Sequence, residues 1–178
     1  MTPRKKPRRL EPKHLKDIAL GYLAKFAASS AKLKTVLKRR IDRSARAHED
    51  DPAPLMAEME RLLGELAAKG ILNDTAFAEM KTKSLARRGG SKRKIEATLA
   101  ASGVSRADTS SALAKLREEE PEAEFAAAVA FAKRRRLGAF RARVDDSPER
   151  RRKDLGAMAR AGFAMDVAKK ALGAGEKR

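Results

Sequence analysis

The chain has 178 residues, 42 Lys and Arg against 24 Asp and Glu, and a formal net charge of +18. It has no cysteine and only two histidines, His14 and His48, so disulfides, iron–sulfur clusters and the usual zinc sites are excluded, no cofactor is expected, and a reducing, cytoplasmic setting fits. No apolar run approaches the ~18 residues of a membrane span, and an apolar fraction rich in alanine with only 4% aromatics favours thin helical layers over one thick core.

Residues 1–14 are rich in Arg, Lys and Pro; Arg4, Lys5, Lys6, Arg8 and Arg9 are expected to form a disordered basic tail that adds non-specific affinity. Leu15, Ile18, Ala19, Tyr22, Leu23 and Phe26 then recur at helical spacing and predict a first helix with one apolar face. Ser29 and Ser30 supply an N-cap for a second helix holding Leu33, Val36, Leu37 and Ile41, expected to fray into a loop over Arg43–Pro54. A third helix carries Leu55, Met59, Leu62, Leu63 and Leu66 and stops at Gly70.

Asn73, Asp74 and Thr75 open a helix predicted to bury Phe77 and Met80, closed by Gly89 and Gly90. Ser91 caps the next, with Ile95 and Leu99 inside and Gly103 after it; Ser105 and Asp108 have capping-box form ahead of Leu113 and Leu116. Beyond Glu118–Pro121 the stripe is Phe125, Ala128, Val129 and Ala132. Ser147-Pro148-Glu149 opens a helix with Leu155, Met158 and Ala159, and Phe163, Val167, Ala171 and Leu172 close the chain.

The periodicity predicts an all-α chain of nine helices in three sets of three, with no alternating strand. Setting Gly103 on Gly162 pairs Leu99 with Met158, Val104 with Phe163, Ala112 with Ala171 and Leu113 with Leu172, the mark of an internal repeat. The expected organisation is a tail over 1–14 and three-helix repeats over 15–72, 73–119 and 120–178.

Positive charge arrives in blocks. Lys81, Lys83, Arg87, Arg88, Lys92, Arg93 and Lys94 have no acid among them and span a helix end, a Gly89-Gly90 turn and a helix start. That pattern points to phosphate or an acidic partner, against the plainer alternative of a solvated turn. Lys133, Arg134, Arg135 and Arg136 cover most of a helix circumference; either the helix projects beyond its bundle or Arg136 snorkels from the core edge, and a frayed helix end is the alternative. Lys38, Arg39 and Arg40, with Arg43 and Arg46 beyond, form a third patch that is either a contact or a long solvated face.

No enzyme is expected: there is no phosphate-loop signature, no His-Glu-x-x-His and no thiol nucleophile. Asp50-Asp51 and Glu118-Glu119-Glu120 lie beside prolines and read as solvated loops. Ile95–Leu116 has a helix-turn-helix outline, yet its second helix is poor in the Arg, Asn and Gln that read bases, so packing within a repeat accounts for it better.

Gly70-Ile71-Leu72-Asn73-Asp74-Thr75-Ala76-Phe77-Ala78 resembles the signature of the RecX regulatory proteins. Arg87-Arg88-Gly89, Lys94-Ile95, Leu99 and Gly103-Val104 are similar to that family's second repeat, and Arg160-Ala161-Gly162-Phe163 to the end of its third. Ala19, Tyr22-Leu23, Ser30 and Leu33–Leu37 resemble the first, so the likeness runs from residue 15 to about 172. The chain departs from the pattern at Ser91, where a second glycine is usual, at Lys32 in place of an acid, and in the longer Arg43–Pro54 connection.

The resemblance implies three tandem three-helix repeats in an elongated, curved array. It also implies a non-enzymatic regulator in homologous recombination, DNA repair and the SOS response, one that binds the RecA recombinase filament on single-stranded DNA and restrains its ATPase, extension and strand exchange. Double-stranded DNA is a further expected contact, with no membrane partner and a monomeric state. The residues expected to make contact are Lys38, Arg39, Arg40, Arg87, Arg88, Lys92, Arg93, Lys94, Lys133, Arg134, Arg135 and Arg136. The competing expectation is a general nucleoid- or RNA-associated binder that needs only the charge.

Overall fold

A computed structural model of the chain describes residues 6–143, 145 and 147–174. Among these there is no strand. The helices are α1 (Pro12–Leu23), α2 (Ser30–His48), α3 (Ala53–Ala68), α4 (Asp74–Arg87), α5 (Lys92–Ala101), α6 (Arg106–Glu119), α7 (Ala123–Arg135), α8 (Pro148–Arg160) and α9 (Met165–Gly173), with a 3-10 turn at Gly138–Phe140. The chain divides into two compact units, residues 1–77 and 78–178. Among the described residues no helix is long and apolar enough to cross a membrane.

In the first unit α1, α2 and α3 pack pairwise around Leu15, Leu33, Leu37, Ile41, Met59, Leu62, Leu63, Leu66 and Leu72. Apart from Leu72, which follows α3, these are i, i+3, i+4, i+7 positions of the helices, taken from the expected stripes. Ser29 caps α2 by accepting from the Lys32 amide at 3.2 Å.

Three expectations in this unit are corrected. Phe26 is 56% exposed, because α1 stops at Leu23; its ring lies tilted against Tyr22 with ring centroids 5.2 Å apart. The stretch after Arg43 is helical as far as His48, and Glu49 ends α2 in the left-handed conformation (φ 56°). Ser44 on that extension is buried, and its hydroxyl accepts from the Leu10 amide at 2.9 Å. That bond also overturns the disordered tail for residues 7–14. Pro7 is held through its carbonyl by His48 Nε2 at 2.8 Å, Arg9 pairs with Asp50 at 2.5 Å, and α1 begins at Pro12. Arg4 and Lys5 lie outside the described residues.

The family-like Asn73-Asp74 pair has a clear mechanical role. Asn73 Oδ1 accepts from the Ala76 amide at 2.8 Å and starts α4, while Asp74 Oδ1 accepts from the Ser30 amide at 2.7 Å and ties that start to the start of α2.

The second unit is built differently. Around α7, α8 and α9 its buried set is dominated by alanine, Ala127, Ala128, Ala132, Ala168 and Ala171 with Met158 and Phe163, while α5 and α6 bury Ile95, Leu99 and Leu116. α5 packs on α6, α7 and α8 both pack on α9, and Lys115–Glu79 and Lys83–Glu119 ion pairs join α6 to α4. Met80 is 47% exposed, against the expectation that it lines the core. α4 turns Ala78, Thr82 and Ala86 inward instead, a small-residue row at i, i+4, i+8 that allows close approach. Ala159 is likewise exposed, and Asp154 takes a buried place on α8, accepting from the Gly138 amide at 2.9 Å and pairing with Arg141.

One helix-ending turn recurs across the chain. Gly70, Gly103 and Gly162 have φ of 70°, 73° and 91°, and the amide after each reaches back to Leu66, Leu99 and Met158 respectively. The pairing of Gly103 with Gly162 read from the sequence is therefore a shared geometry.

Candidate nucleic-acid and partner interface

The expected contact residues are all exposed, and they fall into two groups. Lys38, Arg39 and Arg40 lie on the middle of α2 in the first unit. The remaining nine belong to the second unit, where folding brings two sequence-distant clusters together. Arg87 ends α4, Arg88 lies in the following turn, and Lys92, Arg93 and Lys94 form the first turn of α5; Lys133, Arg134 and Arg135 end α7, and Arg136 is its C-cap.

The join is made by backbone as well as charge. Gly89 has φ 76°, and a Cβ placed there would lie 3.0 Å from the Ala127 carbonyl oxygen and the Phe131 nitrogen, so the α4–α5 turn sits directly on the α7 backbone. Arg134 Nη1 donates to the Arg88 carbonyl at 2.6 Å, and the same guanidinium lies 5.6 Å from the Phe131 ring centre. Arg134 therefore holds the turn in place while adding to its charge. Lys133 Nζ is 5.6 Å from the Phe140 ring centre.

Neither expectation for Arg136 is met. It adopts the left-handed conformation (φ 52°) that ends α7, and the Leu137 amide reaches back to the Ala132 carbonyl at 2.9 Å. α7 ends at Arg135, and Arg136 lies exposed at its cap rather than along the apolar stripe.

Ser91 makes a third connection that the local pattern concealed. Its hydroxyl accepts from the Lys94 amide at 3.2 Å as an N-cap and donates to the Ala161 carbonyl at 2.6 Å, anchoring α5 to the turn before α9. Gly162 completes that contact, since a Cβ there would meet Ser91 Oγ at 2.7 Å. The cap was legible from sequence; a partner 70 residues away was not, and only the unusual serine at this position marked it.

Electrostatically the two helix ends differ. Lys133, Arg134 and Arg135 sit at the negative end of the α7 dipole, where cations are favourable, so structure alone accounts for part of that cluster. Lys92, Arg93 and Lys94 crowd the positive end of α5, whose first turn has no acid. Cations there oppose the dipole, and an incoming anion relieves them. Two acids of the unit are engaged by other cations: the Lys83 ammonium, by hydrogen bonding, holds the Glu119 carboxyl below its usual range, and Glu79 holds the Lys115 ammonium above its own.

A groove of about 320 Å3 borders this surface, lined by Ile95, Leu113 and Leu116 with Lys92, Glu96 and Arg117. Among the described residues no group of acidic or histidine side chains is arranged to hold a metal ion.

Residues 73–113 match the family model of the RecX second three-helix domain. A regulatory protein RecX from Myxococcus xanthus is 39% identical over 168 residues, covering 94% of this chain and 89% of that protein. Another from Agrobacterium fabrum is 36% identical over 141 residues, 76% of this chain and 71% of that protein. The crystal structure of RecX from Lactobacillus salivarius shares the fold, with a TM-score of 0.68 at 16% identity over 93% of this chain and 96% of that one. With the helix-ending glycines, the Asn73-Asp74 tie and 39% identity over nearly the whole chain in agreement, this chain belongs to the RecX family of regulatory proteins.

Proposed function

We propose that this protein is a non-catalytic, monomeric regulator that acts in the cytoplasm on the RecA recombinase filament assembled on single-stranded DNA. It restrains ATP hydrolysis, filament extension and strand exchange, and can also contact double-stranded DNA. Repeats over 15–72, 73–119 and 120–178 are its modules. The supporting observation is the basic surface of the second unit, where the α4–α5 turn and the end of α7 are locked together by Gly89 and Arg134. A cluster whose α5 half opposes its own helix dipole is suited to a polyanionic surface, and several such contacts multiply through effective concentration.

The decisive measurement is the single-stranded-DNA-dependent ATPase of RecA with this protein well below one per recombinase and DNA in excess. The rate is expected to fall far more than occupancy of free DNA explains, and a combined Arg88→Glu, Arg93→Glu substitution should abolish the effect. A general nucleic-acid binder is the second reading, favoured by the absence of acids among residues 81–94. It requires an unchanged ATPase rate, with DNA affinity and its salt slope reduced alike by reversal at any patch.

A further inference from the structure

A second cleft, in the first unit, collects cations that the sequence keeps apart. It is lined by Arg8, Leu10, His14, Asp17, Arg40 and Arg43 among others, with a volume of about 410 Å3. We infer that this cleft is a binding site for a nucleotide phosphate, held by Arg8, Arg40, Arg43 and His14.

The entry segment is what builds it. Pro7, Arg9 and Leu10 are each fastened to the end of α2 or the residues just after it, through His48, Asp50 and Ser44. Arg9 is engaged by Asp50, while Arg8 lines the cleft with Arg40 and Arg43. Three guanidiniums thus share a cleft in which Asp17 is the single acidic lining residue. Glu11, the other carboxylate close enough to act on Arg8 and His14, is already paired with Lys13, so Asp17 is left facing three guanidiniums that the ties of the entry segment hold together.

His14 adds an independent sign. Its Nδ1 lies 3.0 Å from the Glu11 amide and its Nε2 lies 2.9 Å from Arg8 Nη2, so both ring nitrogens face donors. A neutral imidazole has one acceptor nitrogen, which leaves one donor facing another. An anionic oxygen beside Nε2 removes the conflict by accepting from both the ring N–H and the guanidinium. Leu10 and Ile18 supply apolar wall for a sugar or base, and the volume lies within the range of about 300–1,000 Å3 usual for small-ligand sites. This inference does not depend on the recombinase reading, and its test uses a different readout.

With two histidines in the chain, the imidazole Cε1 protons report the site directly in a proton NMR titration of the full chain, and His14→Gln assigns them. Inorganic pyrophosphate, AMP and a short oligothymidine are added in turn at fixed ionic strength. The His14 signal should move saturably while that of His48 stays. Arg8→Gln with Arg40→Gln should weaken the response about tenfold or more, and Lys69→Gln, an exposed cation of the same unit outside the cleft, should leave it intact. Arg43→Gln removes a lining cation without touching the entry segment and should weaken binding even if the double variant unfolds. Movement with pyrophosphate and AMP alone identifies a free nucleotide as the ligand; movement with the oligothymidine identifies a strand. No movement with any of the three, or equal movement in the Arg8/Arg40 and Arg43 variants, overturns the site.

Discussion

The two compact units reach a helical core by opposite means. The first buries Leu, Ile and Met at nearly every inward position of α1, α2 and α3, and its helix-ending Gly70 has open space where a side chain would be. In the second, alanines bring backbones close, and Gly89 and Gly138 have φ of 76° and 54° with neighbouring backbone in the way of any Cβ. Bulk side chains set spacing in the first unit, and small residues set it where α7 meets its neighbours in the second. The tight unit is also the one that fixes two basic clusters side by side, because a turn seated on helix backbone cannot drift.

That contrast can be broken by mutation. Leu37→Ala in the first unit should cost about 3–5 kcal/mol, as expected for a fully buried leucine leaving a cavity, read from urea unfolding. In the second unit the damaging direction reverses: Gly89→Ala should cost about 2–4 kcal/mol, from the positive φ combined with the 3.0 Å backbone approach. Gly70→Ala, in the same turn geometry with open space, should cost only about 1 kcal/mol. Equal losses at the two glycines would remove the close-packing argument.

The smallest effect sharpens the electrostatic side. Glu119 is held below its ordinary 4.5 by its hydrogen bond to Lys83. A carboxylate lowered in the folded state contributes stability above its unfolded pKa and loses it as pH falls through the folded one. Lys83→Met should move the Glu119 titration, followed by carboxyl NMR, up toward 4.5 and leave stability near neutral pH almost unchanged, since the pair is exposed.

Much of this molecule could be read from local pattern. Helix existence, the caps at Ser29, Ser91, Ser105 and Ser147, and the recurring glycine turn follow from spacing of three and four residues and from hydrogen bonds between near neighbours. The pattern failed where a small residue took the inward place, as at Ala78 and Thr82 rather than Met80, because size-ranked apolar stripes assume that the core wants bulk. It failed again at α2, where charged residues after Arg43 suggested a loop although buried Ser44 and the bonded entry segment stabilise a helix.

The amino-acid sequence by itself determined the all-helical character, the repeat and the family, since these rest on periodicity and on motifs read along the chain. Only the tertiary structure decided which charges share a surface, Arg88 with Arg134 and Arg8 with Arg40, and that Ser91 bonds to Ala161. Like charges carry no pairing signal of their own in sequence. Their neighbours are chosen by the close backbone contacts and hydrogen bonds of the elements that carry them, and those form only when the helices pack.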